Sequence, residues 1–183
     1  SQGFLAIADI SGYTKFVRSH NLRTLPFVGK KMRRTSDEHA ETVITDLLEV
    51  IIDTVGASMT VNKLEGDAVF FVKESDQPDE EVSSLIPKLL EVFDAFQRRL
   101  YDLIYCQVCL CDCCQQMGDL KIKLVVHFGG FYVKQVAHFE EVAGEDVILV
   151  HRLLKNTLNS NEYLLVTPKV QQLARQELAH LEF

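Results

Sequence analysis

The apolar run Phe4-Leu5-Ala6-Ile7-Ala8 stops at an acid, Asp9. A strand with one wet face alternates apolar and polar residues. This one does not, so it is predicted to lie in the middle of a sheet with both faces covered. A chain built around such a strand must supply layers that pack on it. Its 183 residues are one domain's worth and enough to bury a real core. The longest apolar runs, such as Ala68-Val69-Phe70-Phe71-Val72, are far too short to span a bilayer.

Helical and strand periodicities alternate along the rest of the chain. Ile10-Ser11-Gly12-Tyr13-Thr14 leads into a short helical stretch through Val17, and residues 21–35 read as a loop. Thr35 and Glu38 have capping-box spacing, and Ala40, Val43, Ile44, Leu47, Leu48, Ile51 and Ile52 mark the face of a long helix ending near Gly56. Ser58–Leu64 and Asp67–Val72 read as a β-hairpin turning at Glu65-Gly66. A second long helix is marked by Leu85, Leu89, Val92, Phe93, Phe96, Leu100 and Leu103. Leu120, Ile122, Leu124 and Val126 alternate with Lys121 and Lys123 in a half-buried strand, and Gly129-Gly130 turns it into another at 131–138. Residues 146–156 read as helix, Tyr163–Val166 as strand, and 168–179 as a last helix with Pro168 near its start. The order β-α-α-β-β-α-β-β-α-β-α predicts an α+β, ferredoxin-like sandwich. It forms a single domain, 1–183, with helices on one face of the sheet and a Cys-rich insertion at 105–118.

Lys and Arg total 19 against 26 Asp and Glu, a net charge of −7, and there is no Trp. Phosphate neutralisation along a nucleic acid needs clustered cations, so no nucleic-acid partner is expected. The cations between Arg23 and Arg34 form one local cluster; a solvated loop is the default for it, with contact to a triphosphate or a partner's acidic loop at 76–81 as the alternatives. All five cysteines fall between 106 and 114 instead of stapling distant segments, and no basic-then-apolar signal opens the chain. A cytoplasmic, membrane-free protein is therefore expected, although a first residue other than Met leaves the true start open.

Two acids at strand ends, Asp9 and Asp67, each have a glycine nearby: Asp9-Ile10-Ser11-Gly12 and Gly66-Asp67. If their strands are neighbours, the two carboxylates meet at one rim. Close carboxylates repel unless a cation lies between them, and oxygen donors suit Mg²⁺ or Mn²⁺. A helix opening after Asp9 would also aim backbone N–H groups at a phosphate. The same residues equally suit a helix cap and a turn.

Four motifs occur in order over residues 4–157. They are Ala8-Asp9-Ile10-Ser11-Gly12-Tyr13-Thr14, Lys63-Leu64-Glu65-Gly66-Asp67, Val126-His127-Phe128-Gly129-Gly130, and Gly144 with Arg152 eight residues on. Together they resemble the class III adenylate and guanylate cyclases, in an uncharacterised and partly degenerate branch. The resemblance implies a head-to-tail homodimer with sites at its interface. One chain would hold two divalent metals through Asp9, Asp67 and the Ile10 carbonyl, with Ser11, Gly12, Tyr13 and Thr14 beside the nucleotide. The other chain would read the purine of ATP or GTP with Lys63 and Glu141, and place Arg152 against the transition-state charge. Glu141 replaces the family's usual Asp. Ile148 replaces an Asn that orients the ribose, and an isoleucine can neither donate nor accept. Gly130 stands where many cyclases carry a basic residue, and the C-terminal strand lysine has no clear match. The metal acids are retained while the nucleotide-orienting half is eroded. Two functions follow: a metal-dependent purine-nucleotide cyclase domain, or a non-catalytic homologue that senses nucleotide or dimerises.

Other groups have plainer readings. Arg152 equally suits a salt bridge to Glu145 or Asp146, or free exposure. His127, on an apolar strand, reads as a satisfied core histidine, and His138 as a surface residue. Cys106, Cys109, Cys111 and Cys114 give two C-x2-C pairs that could hold a structural Zn²⁺, with Cys113 to spare. Their tight spacing equally fits a reduced loop of buried thiols. A small metal-binding interaction protein organised by these cysteines is the third function.

Overall fold

The computed structural model of the chain describes residues 1–18, 30–106 and 112–179, with backbone alone at 18, 30–38, 112 and 113. Its elements are β1 (Gln2–Ser11), α1 (Tyr13–Arg18), α2 (Lys30–Val55), β2 (Thr60–Glu65), β3 (Ala68–Glu74), α3 (Pro78–Cys106) and α4 (Asp112–Gln116). After a 3₁₀ turn at Met117–Asp119 come β4 (Lys121–Gly130), β5 (Tyr132–Val136), β6 (Phe139–Ala143), α5 (Glu145–Leu153), β7 (Tyr163–Val166), α6 (Pro168–Leu173) and α7 (Arg175–Leu178).

The main sheet has the order β2-β3-β1-β4-β7, so β1 is central, as its unbroken apolar run requires. It pairs antiparallel with β3 and with β4, and β4 pairs parallel with β7. Alternate residues of β1 serve two cores. Phe4, Ala6, Ala8 and Ile10 pack under α2 and α3 with Leu47, Ile51, Leu89 and Phe96. Leu5 and Ile7 face the other way, with Phe70, Val125, Val147 and Val150. The second cluster lies under α5, so helices cover both faces and not one. Their unequal numbers concealed this in the sequence, because α5 is short.

Between α2 and α3, Arg99 holds Asp46 by two charge-assisted bonds of 2.7 and 2.5 Å. The acids Asp79, Glu80 and Glu81 in the first turn of α3 complement its N-terminal dipole.

Three features depart from the sequence expectation. α2 starts at Lys30, inside the span read as a loop, so the Thr35–Glu38 pair lies within the helix. The strand expected at 131–138 is a separate hairpin, β5 with β6, and neither strand joins the main sheet. The Cys-rich segment includes a short helix, α4.

Phe71 is fully buried between β1 and the α2–α3 layer. Phe71→Ala is expected to lower the unfolding free energy by about 3–5 kcal/mol in urea titration, whereas Tyr132→Ala, on an exposed position, should change it by less than about 0.5 kcal/mol.

Candidate functional site

The pairing of β1 with β3 decides where the two acids meet. Asp9 sits opposite Ala68, and the Ile10 N–H donates to the Asp67 carbonyl at 3.0 Å. Gly66 makes the preceding turn with φ of 70°, where a side chain would be strained although nothing crowds it. Both carboxylates are half-buried on the same rim. Burial, and then the neighbouring Asp67 charge, push the Asp9 carboxyl up to about 6, with Lys123 opposing them. Burial also raises Asp67, against a backbone hydrogen bond that favours its charged form. Lys123 stands directly across from Asp9 in the β1–β4 register, and its ammonium lies over the Tyr163 ring at 5.8 Å.

The acids form one wall of a cleft of about 550 Å³, and α5 and its C-terminal extension form the other. Val147 and Val150 anchor α5 in the second core. Ile148, His151, Arg152 and Lys155, at i, i+3, i+4 and i+7, line the cleft. His151 is held in place: Nδ1 lies 2.8 Å from the Val147 carbonyl, Nε2 lies 3.4 Å from Glu65, and the ring packs on Phe70. Arg152 and Lys155 are exposed and make no ion pair among the described residues. Ile148 is 53% exposed and brings no polar group to the cleft.

The N-terminal end of α5 is pinned to β4. Asp146 Oδ2 accepts from the Gly130 N–H at 2.6 Å, and Oδ1 lies 3.1 Å from Nε2 of buried His127, an ion-pair distance without hydrogen-bond alignment. His127 Nδ1 is 2.9 Å from the Thr167 hydroxyl. Burial works to raise the Asp146 pKa, but the Gly130 N–H and His127 outweigh it and hold the carboxyl below its ordinary value. A Cβ at position 129 would collide with both Asp146 and His127, so glycine there permits the close approach. His127 is buried as expected, but the expected satisfied core histidine is met only at Nδ1, since Nε2 has no aligned hydrogen-bond partner. Asp146 turns to β4 and leaves Arg152 exposed, with no bridge to Glu145 or Asp146 among the described residues.

Of the residues singled out from the sequence, Asp9, Asp67 and Arg152 share the cleft within one chain. Ile10 is tied to Asp67 through its backbone, and its side chain is buried in the first core. Ser11, Gly12, Tyr13 and Thr14 lie outside the cleft lining. Ser11 is buried, and the Tyr13 hydroxyl donates to Glu41 at 3.1 Å. Lys63 pairs with Glu65 at 3.1 Å, and Glu141 pairs with Lys134 at 3.0 Å on the β5–β6 hairpin. Lys134 holds the Glu141 carboxyl below its ordinary pKa, with a smaller contribution from Lys63. Cys106 is exposed at the end of α3, and Cys114 is buried in the first core. Cys109, Cys111 and Arg23 lie outside the described residues, while the other cations of that cluster, Lys30, Lys31, Arg33 and Arg34, fall at the start of α2; His138 is exposed, as expected.

The donor set fits a hard divalent cation. Two carboxylates share an open rim, and among the described residues no third His, Cys, Asp or Glu joins them into a closed cage. Mg²⁺ and Mn²⁺ suit such a site because they keep water and substrate phosphate oxygens in their remaining positions.

Sequence reading missed Lys123, His151 and Lys155. Lys155 was within reach, since it lies one helical turn beyond Arg152 and three residues on. Lys123 was not, because its place beside Asp9 depends on a strand register that no local pattern encodes.

A carboxyl whose folded pKa is raised from 3.8 to about 6 favours the unfolded state once ionised. The penalty is absent below the unfolded value and complete above the folded one. Asp9→Asn is therefore expected to raise the melting temperature of metal-free protein by several degrees at pH 8, with the gain vanishing as pH falls to the unfolded pKa. Thermal melts across that range check it.

Comparison with known proteins places this geometry in a wider set. The family model described as "Protein of unknown function (DUF2652)" matches residues 44–163. "Uncharacterized protein Rv2561/Rv2562" of Mycobacterium tuberculosis is 37% identical over 129 residues, which is 70% of this chain and 59% of that protein. The chain thus spans little more than half the length of this curated relative. The adenylyl cyclase CyaB from P. aeruginosa superposes with a TM-score of 0.68 over 96% of this chain and 82% of that one, at 14% identity. A class III adenylyl cyclase-like ATP-binding protein from Pseudomonas aeruginosa superposes at 0.57 over 97% of this chain and 37% of its own, at 16% identity. The guanylate cyclase domain of RhGC from Catenaria anguillulae, solved with GTP, superposes at 0.55 over 96% and 82%, at 12% identity. Identities this low establish the fold alone. The chain belongs to the DUF2652 family, an uncharacterised branch with the fold of the class III nucleotidyl cyclase domain.

Proposed function

We propose that this domain binds a purine nucleoside triphosphate together with Mg²⁺ or Mn²⁺. The observation that carries the reading is the single cleft in which Asp9 and Asp67 face Arg152. The volume of about 550 Å³ is that of a small-ligand site. Asp9 and Asp67 would hold the cation, with the Ile10 carbonyl as the third protein donor. When bound, it supplies charge neutralisation for the triphosphate and acidifies a ribose hydroxyl. Arg152 stabilises negative charge on the phosphate, and its freedom from ion pairing among the described residues leaves it available. Lys63 and Glu141 supply a donor and an acceptor for the purine edge.

Ile148 separates binding from turnover. It offers the ribose a methyl-bearing wall where ring closure needs a positioned hydrogen bond. Loss of one such contact costs on the order of 10²-fold in rate. We therefore assign nucleotide binding as the main property and cyclic-nucleotide formation as slow or absent. A second copy is supported by the β5–β6 hairpin, where Tyr132, Val133, Val136 and Phe139 expose apolar surface.

Titration with Mn²⁺ and fluorescent ATP or GTP analogues tests the reading. Saturable, Mn²⁺-dependent binding is expected, falling at least tenfold in Asp67→Asn. Affinity should also weaken as pH drops through about 6, where Asp9 takes up a proton. Metal-independent binding, or none, overturns the proposal. Ile148→Asn is expected to raise cyclic-nucleotide formation above the wild-type level, read by chromatography of the products.

A further inference from the structure

We propose that Glu65 and His151 form a second metal site, separate from the acid rim and suited to a borderline ion such as Zn²⁺ or Co²⁺. The inference goes beyond the nucleotide reading and stands without it.

His151 lies one turn after Val147 on α5, with Nδ1 2.8 Å from the Val147 carbonyl. A carbonyl only accepts, so Nδ1 carries the ring proton, and a neutral His151 presents a bare lone pair at Nε2. Glu65 ends β2, and its Oε2 lies 3.4 Å from that nitrogen. Two acceptors therefore confront each other in the lining of one cleft, and something positive must lie between them. A shared proton would draw a charge-assisted pair to about 2.8 Å. Two donors about 2.1 Å from a tetrahedral ion stand about 3.4 Å apart. Neighbouring donors on an octahedral Mg²⁺ would stand about 3.0 Å apart. The observed spacing is that of the tetrahedral ion.

The other atoms of both donors are already held. The Val147 carbonyl fixes the tautomer, the imidazole packs on Phe70 with ring centroids 5.0 Å apart, and Lys63 holds Glu65 Oε1 at 3.1 Å. Outer contacts of this kind orient metal ligands before the ion arrives. Both side chains are about one-third exposed, at 33% and 29%, so an ion can enter from the cleft. Among the described residues no third His, Cys, Asp or Glu closes the set, which leaves the remaining positions to water. Two protein donors completed by water make an exchangeable site, unlike a closed structural one. The imidazole nitrogen favours Zn²⁺ or Co²⁺ over the Mg²⁺ suited to the acid rim.

Titration of the full, reduced chain with Co²⁺, followed by absorption, tests the site. One equivalent should bind with a visible tetrahedral band and without the near-ultraviolet charge-transfer band of thiolate ligation, which separates this site from the cysteines. His151→Ala and Glu65→Gln should each weaken Co²⁺ by about tenfold or more. Asp9→Asn should leave the affinity within about twofold, and excess Mg²⁺ should not displace the ion. Melting curves verify that each variant folds, and Glu65→Gln alone decides if His151→Ala does not. A thiolate band on that first equivalent, loss of Co²⁺ binding in Asp9→Asn, displacement by Mg²⁺, an unaltered affinity in Glu65→Gln or no binding in the wild type each overturns the proposal.

Discussion

One backbone hydrogen bond, from the Ile10 N–H to the Asp67 carbonyl, ties the end of the central strand to the turn of the neighbouring hairpin. It fixes two carboxylates on one rim, where burial makes both reluctant to ionise and the Asp67 charge adds to the effect on Asp9. That arrangement is unfavourable for the folded chain alone and favourable only when positive charge arrives. Sites that hold unsatisfied electrostatic cost are where function is concentrated, and the remainder of the fold serves to keep this one in place.

The support comes from both faces of the sheet. The α2–α3 layer clamps β1 and β3 through a continuous apolar core, which makes the rim stiff. On the opposite face, α5 is short, and packing alone would hold it weakly. Its N-terminus is secured by Asp146 on Gly130 and beside His127, with Thr167 bonded to the far side of the imidazole. This polar chain links β4, α5 and the start of α6. The close approach requires glycine at 129, so the glycine pair at the end of β4 serves helix placement.

The cleft differs in character along its length. Near the acids it is polar and charged, and near Ile148 it is apolar. On the proposed nucleotide reading, a grip on metal and phosphate without a polar contact for the sugar favours holding a nucleotide over transforming it. On the proposed reading, the apolar residues exposed on the β5–β6 hairpin offer a surface for a second copy.

Much of this was written in local patterns. The doubly apolar run at 4–8 announced a central strand, the acids at strand ends announced a rim, and the helical spacing along α3 announced its buried face. Three things were not. The start of α2 was hidden because its first residues are cationic and carry no apolar period. The second strand of the β5–β6 hairpin was hidden because it is largely exposed, so no alternation of burial shapes its sequence. The composition of the cleft was hidden because β1 is apolar on both sides. From the sequence alone, strand parity puts Asp9 on the face of Leu5 and Ile7, and parity does not say which side carries α5. Periodicity fixes which residues share a face of their own strand or helix. Only the pairing of β1 with β3 and β4, and the packing of α5 across them, decides which faces confront each other, because those contacts join residues far apart in the chain.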